Sequence, residues 1–233
     1  MVESDLLRLR LKRITWHNEF INSYELVSAD GAALPPFTAG AHIGLMLPAG
    51  TRSYSLMNAP SETHRYVLGV AREQDGRGGS AYVHDHLRVG AVIAALPPKN
   101  LFPLHGDDSP ALLIAGGNGI TPMLSMAAHL EAVGRPWRLV YAVRNDQHKA
   151  FHGELGEWAG KVTVHLDQEA GGVLDLATLI ASASPDTHFY CCGPAPMLAS
   201  YLQACESRPQ EKVHFERFSA ELPLSVNGGG FEV

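Results

Sequence analysis

The chain has few cysteines, a deficit of basic charge and no long apolar run. Its three cysteines in 233 residues, two of them adjacent, cannot build a disulfide framework, so we expect a reducing, cytoplasmic location. Eighteen basic against 24 acidic side chains give a formal net charge of −6, which disfavours a nucleic-acid partner. Apolar runs such as residues 91–96 are far shorter than the ~20 residues of a membrane span, and the N-terminus lacks a signal-peptide pattern. We therefore expect no membrane partner.

Several catalytic signatures are also missing. The sequence contains no Gly-Lys-Ser/Thr, which disfavours P-loop ATP chemistry, and no G-x-S-x-G elbow of a serine hydrolase. Twelve histidines are scattered, and the pair His84 and His86 has a spacing that places the two rings on different faces of a helix. We therefore expect no bound metal.

The apolar pattern of the first half has a period of two. Over residues 7–104, short alternating stretches are separated by Pro- and Gly-containing turns, which is typical of an antiparallel barrel. One helical stretch, residues 80–87, interrupts them. We predict a β-barrel domain over residues 1–106.

The second half follows a different rhythm. Apolar strands are predicted to begin at intervals of 25 or 26 residues, near Ala111, Trp137, Val162, His188 and Val213. Helical stretches lie between them, which predicts a doubly wound α/β domain with a parallel five-stranded sheet over residues 107–218. A single mixed α+β domain is the alternative.

Two glycine turns follow strands of this sheet. The first, residues 116–122, predicts Thr121 as helix N-cap and Pro122 as the first helical residue, and its bare backbone N–H groups suit an anion. The second is Cys192-Gly193-Pro194. Both lie at strand C-termini, where open sheets bind ligands, although a glycine turn can also be purely conformational. Cys192 is predicted to be a buried apolar side chain rather than a reactive thiolate.

The first half offers a separate candidate for phosphate binding. Arg52 and Tyr54 share one face of a strand, so that an arginine fork and an aromatic ring lie side by side. Residues 76–80 form a glycine-rich nest at the start of the predicted helix. By itself the strand motif is better explained by an exposed arginine beside a core tyrosine.

Three motifs occur in one order along the chain: Arg52-x-Tyr54-Ser55, the turn at 116–122, and Cys192-Gly193-Pro194-x-x-Met197. Together they resemble the ferredoxin-NADP reductase superfamily. Segments 52–58, 76–80 and 213–218 are similar to its phthalate dioxygenase reductase branch, the NADH-dependent reductase components of Rieske-type oxygenases. The resemblance implies that the barrel binds FMN, that the sheet domain binds NADH, and that hydride passes between them.

The resemblance also implies roles for individual residues. The flavin would be held by Arg52, Ser53, Tyr54, Ser55, Gly78, Gly79 and Ser80. The dinucleotide would be held by Gly117, Asn118, Gly119, Ile120, Thr121, Pro122, Arg144, Asp146, Cys192, Gly193, Pro194 and Met197. The catalytic candidates are Ser55 near flavin N5, Cys192 beside the nicotinamide, Phe215 as the ring that shields the flavin, and Glu216. Phe215 is preferred to Phe218 for the shielding role.

Further expectations concern partners and extent. The resemblance implies a terminal oxygenase as the protein electron acceptor, and we expect a monomer. A plant-type [2Fe-2S] cluster needs a C-x4-C-x2-C run, which is not present, so we expect the cluster only in a missing C-terminal ferredoxin domain. Residues 219–233 would then be a linker and the start of that domain. The alternatives are a stand-alone NAD(P)H:flavin reductase that releases reduced flavin, and a non-catalytic flavin-binding electron-transfer subunit.

We predict a preference for NADH over NADPH. After the second strand of the sheet, Asp146 suits a ribose 2′-hydroxyl and repels a 2′-phosphate, whereas Arg144 would attract one, and the branch it resembles uses NADH. Steady-state kinetics with both nucleotides should give the larger kcat/KM for NADH. A larger kcat/KM for NADPH would reverse this assignment.

Overall fold

A computed structural model describes residues 6–73 and 78–218. The described part of the first half contains β1 (Leu7–Trp16), β2 (Ile21–Ser28), β3 (His42–Leu47), β4 (Gly50–Ser55), β5 (Tyr66–Ala71), α1 (Gly79–His86) and β6 (Val92–Lys99). The strands form one antiparallel sheet in the order β4-β3-β6-β1-β2-β5, so the predicted barrel-like half is confirmed. The predicted helix at 80–87 corresponds to α1.

The alternation of apolar and polar residues along the strands explains how one face of this sheet forms a core. In β1, Leu9 and Leu11 are buried while Arg8 and Arg10 face solvent, because successive side chains point to opposite faces. The inward faces of the other strands complete the core, and each fully buried aliphatic side chain contributes about 1.5–3 kcal/mol.

The barrel has a seam between β4 and β5, which are the two ends of the strand order. Among the described residues, backbone pairing across the seam is limited to an isolated bridge between Leu56, just after β4, and Leu68 in β5. Over its length, therefore, β4 pairs with β3 on one side and faces the seam on the other.

The second half is a five-stranded parallel sheet. Its strands are β7 (Ala111–Gly116), β8 (Trp137–Val143), β9 (Val162–Leu166), β10 (His188–Cys192) and β11 (Val213–Glu216). Its helices are α2 (Ile120–Ala132), α3 (His152–Gly156), α4 (Asp167–Ala170), α5 (Leu176–Ala181) and α6 (Ala195–Ala204). All five strands begin at the predicted residues, which confirms the doubly wound fold.

The strand order β11-β10-β7-β8-β9 places a topological switch point between β7 and β10. From β7 the chain winds outward to β8 and β9, and then crosses to β10 and β11 on the other side. Loops leaving β7 and β10 consequently diverge, which opens a crevice at the C-terminal edge of the sheet.

The predicted start of α2 was wrong. The helix begins at Ile120 after a short 3-10 turn at Gly117–Gly119, and its N-cap is Gly119 rather than Thr121. The Thr121 hydroxyl donates instead to the Asn118 carbonyl over 3.1 Å. Pro122 is the third helical residue, a position whose N–H has no partner within the helix, so proline is tolerated there.

Direct packing joins the two halves. At Gly69 in β5, an added Cβ would lie 2.5 Å from the Thr121 methyl group and 2.8 Å from the Phe151 ring. Gly40 has φ +88°, and an added Cβ would lie 2.9 Å from Met126 Cε of α2. These close approaches fix β5 against the start of α2 and the residue that precedes α3.

Within residues 6–73 and 78–218, none of the helices combines the length and the apolar character that a membrane span requires. The boundaries predicted at 106/107 and 218/219 stay predictions. The predicted linker at 219–233 lies outside the described residues, as do Gly76 and Arg77 of the predicted nest.

Candidate functional site

A cleft lies over the barrel seam where the two halves meet. It is lined by β4, β5, the start of α1 and the first turn of the sheet domain. The lining residues are Arg52, Ser53, Tyr54, Ser55, Gly69, Ala71, Glu73, Gly79, Ser80, Asn118, Thr121 and Phe218. The structure thus brings the flavin candidates of β4 and α1 together with two of the nucleotide candidates.

One end of the cleft carries the Arg52 guanidinium, and Glu73 also lines the cleft. Arg52 extends across Gly79, where an added Cβ would lie 2.6 Å from Arg52 Cγ and 3.0 Å from its Nε. Gly78, at φ +78°, is the N-cap of α1, whose first N–H groups have no partner within the helix. A guanidinium beside a helix N-terminus is a site for an anion such as a phosphate.

Tyr54 forms an aromatic wall of the same cleft. Its side chain is half-buried, and burial raises the pKa of its phenol to about 12. The ring therefore stays neutral, with a flat face suited to a heterocycle.

At the other end, a half-buried carboxyl bridges the two halves. Ser55 Oγ at the end of β4 donates a hydrogen bond of 3.4 Å to Glu216 Oε2 at the end of β11. Burial raises the pKa of Glu216 to about 7, and the bond from Ser55 lowers it in part. Near neutral pH this group can hold or release a proton.

Cys192 lies beside this pair, because it is the register partner of Glu216 across β10 and β11. It is fully buried, and burial raises the pKa of its thiol. The prediction of a buried, protonated side chain agrees with this environment. Three of the four catalytic candidates are thereby brought together.

The two glycine turns contact each other through their backbones. An added Cβ at Gly119 would lie 2.0 Å from the Cys192 carbonyl oxygen. At Gly116 it would lie 2.6 Å from Met197 Sδ and 2.8 Å from Pro194 Cδ. Only glycine allows the two turns to come this close. Both turns therefore lie side by side at the switch point between β7 and β10.

The first turn exposes only part of its predicted set. Gly117, at φ +52°, and Asn118 are partly accessible, whereas the side chains of Ile120, Thr121 and Pro122 are buried in the core. Asn118 Oδ1 is buried and has no hydrogen-bond partner among the residues that the structure describes. The backbone N–H groups of this turn, rather than the later side chains, are what it can present to a ligand.

Arg144 and Asp146 follow β8, the strand next to β7, and neither is buried. They stand at the same edge of the sheet as the first glycine turn. The structure does not bring them into the cleft over the seam.

The two candidate shielding rings lie in different places. Phe215 lines a separate cleft with Leu101, and the Arg217 guanidinium lies 5.2 Å from its ring centre. Phe218 lines the cleft that contains Arg52. Phe215 and Glu216 point to opposite faces of β11, because successive side chains of a strand alternate, whereas Phe218 follows the end of the strand.

Comparison with known proteins agrees with this architecture. A family model described as an oxidoreductase NAD-binding domain matches residues 113–203. Phenoxybenzoate dioxygenase subunit beta from Ectopseudomonas oleovorans is 44% identical over 222 residues, covering 95% of this chain and 70% of that protein. Phthalate dioxygenase reductase from Burkholderia cepacia is 39% identical over 247 residues, covering 99% and 77%. The chain belongs to the phthalate dioxygenase reductase family.

A solved structure of phthalate dioxygenase reductase superposes with a TM-score of 0.88 at 39% identity, covering 93% of this chain and 69% of that one. That protein is described as a modular structure for electron transfer from pyridine nucleotides to [2Fe-2S]. As a member of this family the chain is an oxidoreductase, and the matching NAD-binding domain supports a nicotinamide cofactor.

Glu216 should make the stability of this reductase depend on pH. Its folded-state pKa of about 7 lies above the ordinary 4.5, so its contribution to stability is complete below 4.5 and is lost as pH rises through 7. We expect the wild type to lose about 2 kcal/mol more than Glu216→Gln between pH 5 and pH 8. Urea unfolding at both pH values measures this. The exposed Glu211→Gln should behave as wild type; equal losses in wild type and Glu216→Gln would contradict the assignment.

Proposed function

We propose that this chain takes hydride from NADH onto FMN bound over the barrel seam and passes the electrons singly to a Rieske-type oxygenase component. The observation that carries the proposal is a contact between the two halves: Ser55, which lines the Arg52 cleft, donates to Glu216, and Glu216 is the register partner of Cys192 in β10. A flavin and a nicotinamide need such an arrangement, because hydride transfer requires two flat rings in contact with water kept away.

The residues of the cleft fit a flavin mononucleotide. Arg52 and the start of α1 suit its phosphate, and the Tyr54 face suits its ring. Asn118 Oδ1 lies buried at the cleft wall, without a partner within residues 6–73 and 78–218, and is an acceptor that a ligand N–H or hydroxyl would satisfy. A bound flavin supplies the acceptance of a hydride and the release of single electrons.

Residues from both halves would hold the flavin. Arg52 and Gly79 would hold the phosphate, while Tyr54 and Phe218 would line the two sides of the ring. Phe218, rather than Phe215, is the shielding residue in this proposal. Ser55 and Glu216 would hold a proton at the carboxyl Oε2, next to the reacting ring.

On the nucleotide side, the backbone of Gly117 and Asn118 would bind the pyrophosphate, and Asp146 would select the ribose. Cys192 would act by shape, because its protonated thiol and the following Gly193 form the floor of the crevice. No charged group at that position is needed to bind a neutral reduced nicotinamide.

The electron acceptor lies outside these 233 residues. All three cysteines are buried in the sheet domain, and none belongs to a C-x4-C-x2-C run. The relatives include a dioxygenase subunit and a dioxygenase reductase, which supports an oxygenase system as the destination.

The first test is the colour of the purified protein. Desalted protein should stay yellow, bleach within seconds of adding NADH under anaerobic conditions, and reduce ferricyanide. Acid-released cofactor should co-migrate with FMN on chromatography. Colourless protein, or bound flavin that NADH does not reduce, would overturn the function; released FAD would overturn only the assignment of FMN.

Arg52→Ala should weaken flavin retention by about 1.5–3 kcal/mol, the usual contribution of a hydrogen bond to a charged group. Flavin release during dialysis, followed by absorbance, gives the ratio of dissociation constants. Arg8→Ala is the matched control, because Arg8 pairs with Asp30 on the outside of the same barrel. Equal retention in both variants would remove Arg52 from the site.

Phe218→Ala and Phe215→Ala separate the two candidate shielding rings. Loss of an aromatic contact with the flavin should weaken its binding by about 0.5–1.5 kcal/mol in Phe218→Ala. Phe215→Ala should remain within about 0.5 kcal/mol of wild type, as expected of a substitution away from the site. The opposite ranking in flavin titrations would restore Phe215 to the shielding role.

A further inference from the structure

Three potential metal ligands converge where the connecting segment between β6 and β7 meets the start of β10. They are His105 and Asp107 of that segment and His188 of β10, and their ligand atoms all lie within 4.8 Å of one another. The cluster is remote in sequence, since 81 residues separate Asp107 from His188. The proposed flavin and nucleotide sites do not use it.

The spacing of the ligand atoms suits a small tetrahedral ion. Asp107 Oδ2 lies 3.2 Å from His105 Nδ1 and 3.1 Å from His188 Nε2. Two ligands at ~2.0–2.1 Å from a tetrahedral Zn²⁺ are roughly 3.3 Å apart. The His105 and His188 rings are stacked, with centroids 4.5 Å apart and an interplanar angle of 16°, so the partly exposed His105 ring must turn for both nitrogens to face one ion.

The connecting segment is held in place by its backbone. Arg135 Nη1 donates to the His105 carbonyl over 2.7 Å, and its Nε donates to the Ser109 carbonyl over 2.5 Å. The His105 N–H donates to the Tyr190 hydroxyl over 2.8 Å. Two of the ligands are thus preorganised on a fixed loop.

The orientation of Asp107 and His188 is also set. The Ser109 N–H donates to Asp107 Oδ1 over 3.1 Å, which leaves Oδ2 facing the imidazoles. His188 Nδ1 shares a hydrogen bond of 3.0 Å with His214 Nε2, and the His214 ring stacks on Tyr190. Outer partners of this kind orient metal-binding histidines.

A charged neighbour bears on which ion the cluster would take. Arg135 Nη2, 3.4 Å from Asp107 Oδ1, repels a cation, which disfavours ions that depend on charge alone and favours one bound by imidazole nitrogen.

The site has an open side. The side chains of His105 and Asp107 are 46% and 40% exposed, whereas that of His188 is 1% exposed. An ion can enter from solvent and retain water as its fourth ligand.

We propose that His105, Asp107 and His188 bind one divalent transition-metal ion of the zinc type, which ties the connecting segment to β10. This inference does not rest on the proposed redox function. It replaces the expectation from sequence that no metal is bound, which considered only ligands close together along the chain.

The test is titration of the untagged, metal-free, flavin-loaded protein with Zn²⁺ by isothermal calorimetry, with the melting temperature as second readout. We expect one Zn²⁺ per chain and a higher melting temperature. His105→Ala and Asp107→Asn should each weaken zinc binding at least tenfold and abolish the thermal shift. Both positions are partly exposed, so the variants should fold, which far-UV circular dichroism and retained flavin would verify.

His165→Ala is the matched control, because His165 forms a separate pair with Asp167 at 3.4 Å elsewhere in the sheet domain. It should bind zinc as the wild type does. Absence of binding at tenfold zinc excess would overturn the proposal, and so would binding that His105→Ala and Asp107→Asn leave unchanged. A chain that binds zinc at this site but does not oxidise NADH would leave this proposal standing and refute only the redox function.

Discussion

The contact of Gly119 with the Cys192 carbonyl is the constraint on which the rest of the site depends. A Cβ at Gly119 would lie 2.0 Å from that oxygen, so the two turns can approach only through bare backbone. Their approach holds the beginnings of the two loops together at the base of the crevice between β7 and β10. Because β11 pairs with β10 in register, the same contact sets Glu216 beside Cys192 and opposite Ser55 of the barrel.

The cleft has two electrostatically different ends. Arg52 and the start of α1 stabilise negative charge at one end, where solvent is near. At the other, burial keeps Glu216 poised between its neutral and charged forms. Such a gradient matches a cofactor with an anionic tail and a ring whose proton content changes during its redox cycle.

Much of the fold could be predicted from local patterns. The βα repeat placed the starts of β7 and β11 correctly because each unit has its own apolar strand and helix, and alternation revealed β1. The start of α2 was misplaced, since Thr121 and Pro122 are good signals for a helix start, while close packing at Gly119 decided where the helix begins. Local sequence patterns could therefore predict which helices and strands form, but not the exact residue at which each helix begins.

Motifs in the sequence predicted individual residues of the candidate site. Properties that arise from packing between distant parts of the chain could not be predicted in this way. Ser55 and Glu216 were identified through resemblance, but the raised pKa of Glu216 follows from burial between two domains, which no motif encodes. The cluster around His188 is assembled by contacts over about eighty residues of chain, so its spacing carries no sequence signal.

The open seam of the barrel has a consequence for the protein without its cofactor. Along the seam β4 presents a strand edge, and an exposed edge is a template for pairing with strands of other molecules. An occupied cleft covers this edge from the side of Tyr54 and Gly69. If the proposed flavin occupies the cleft, cofactor loading and resistance to self-association would be coupled, because the strand proposed to bind the ligand is also the strand with the open edge.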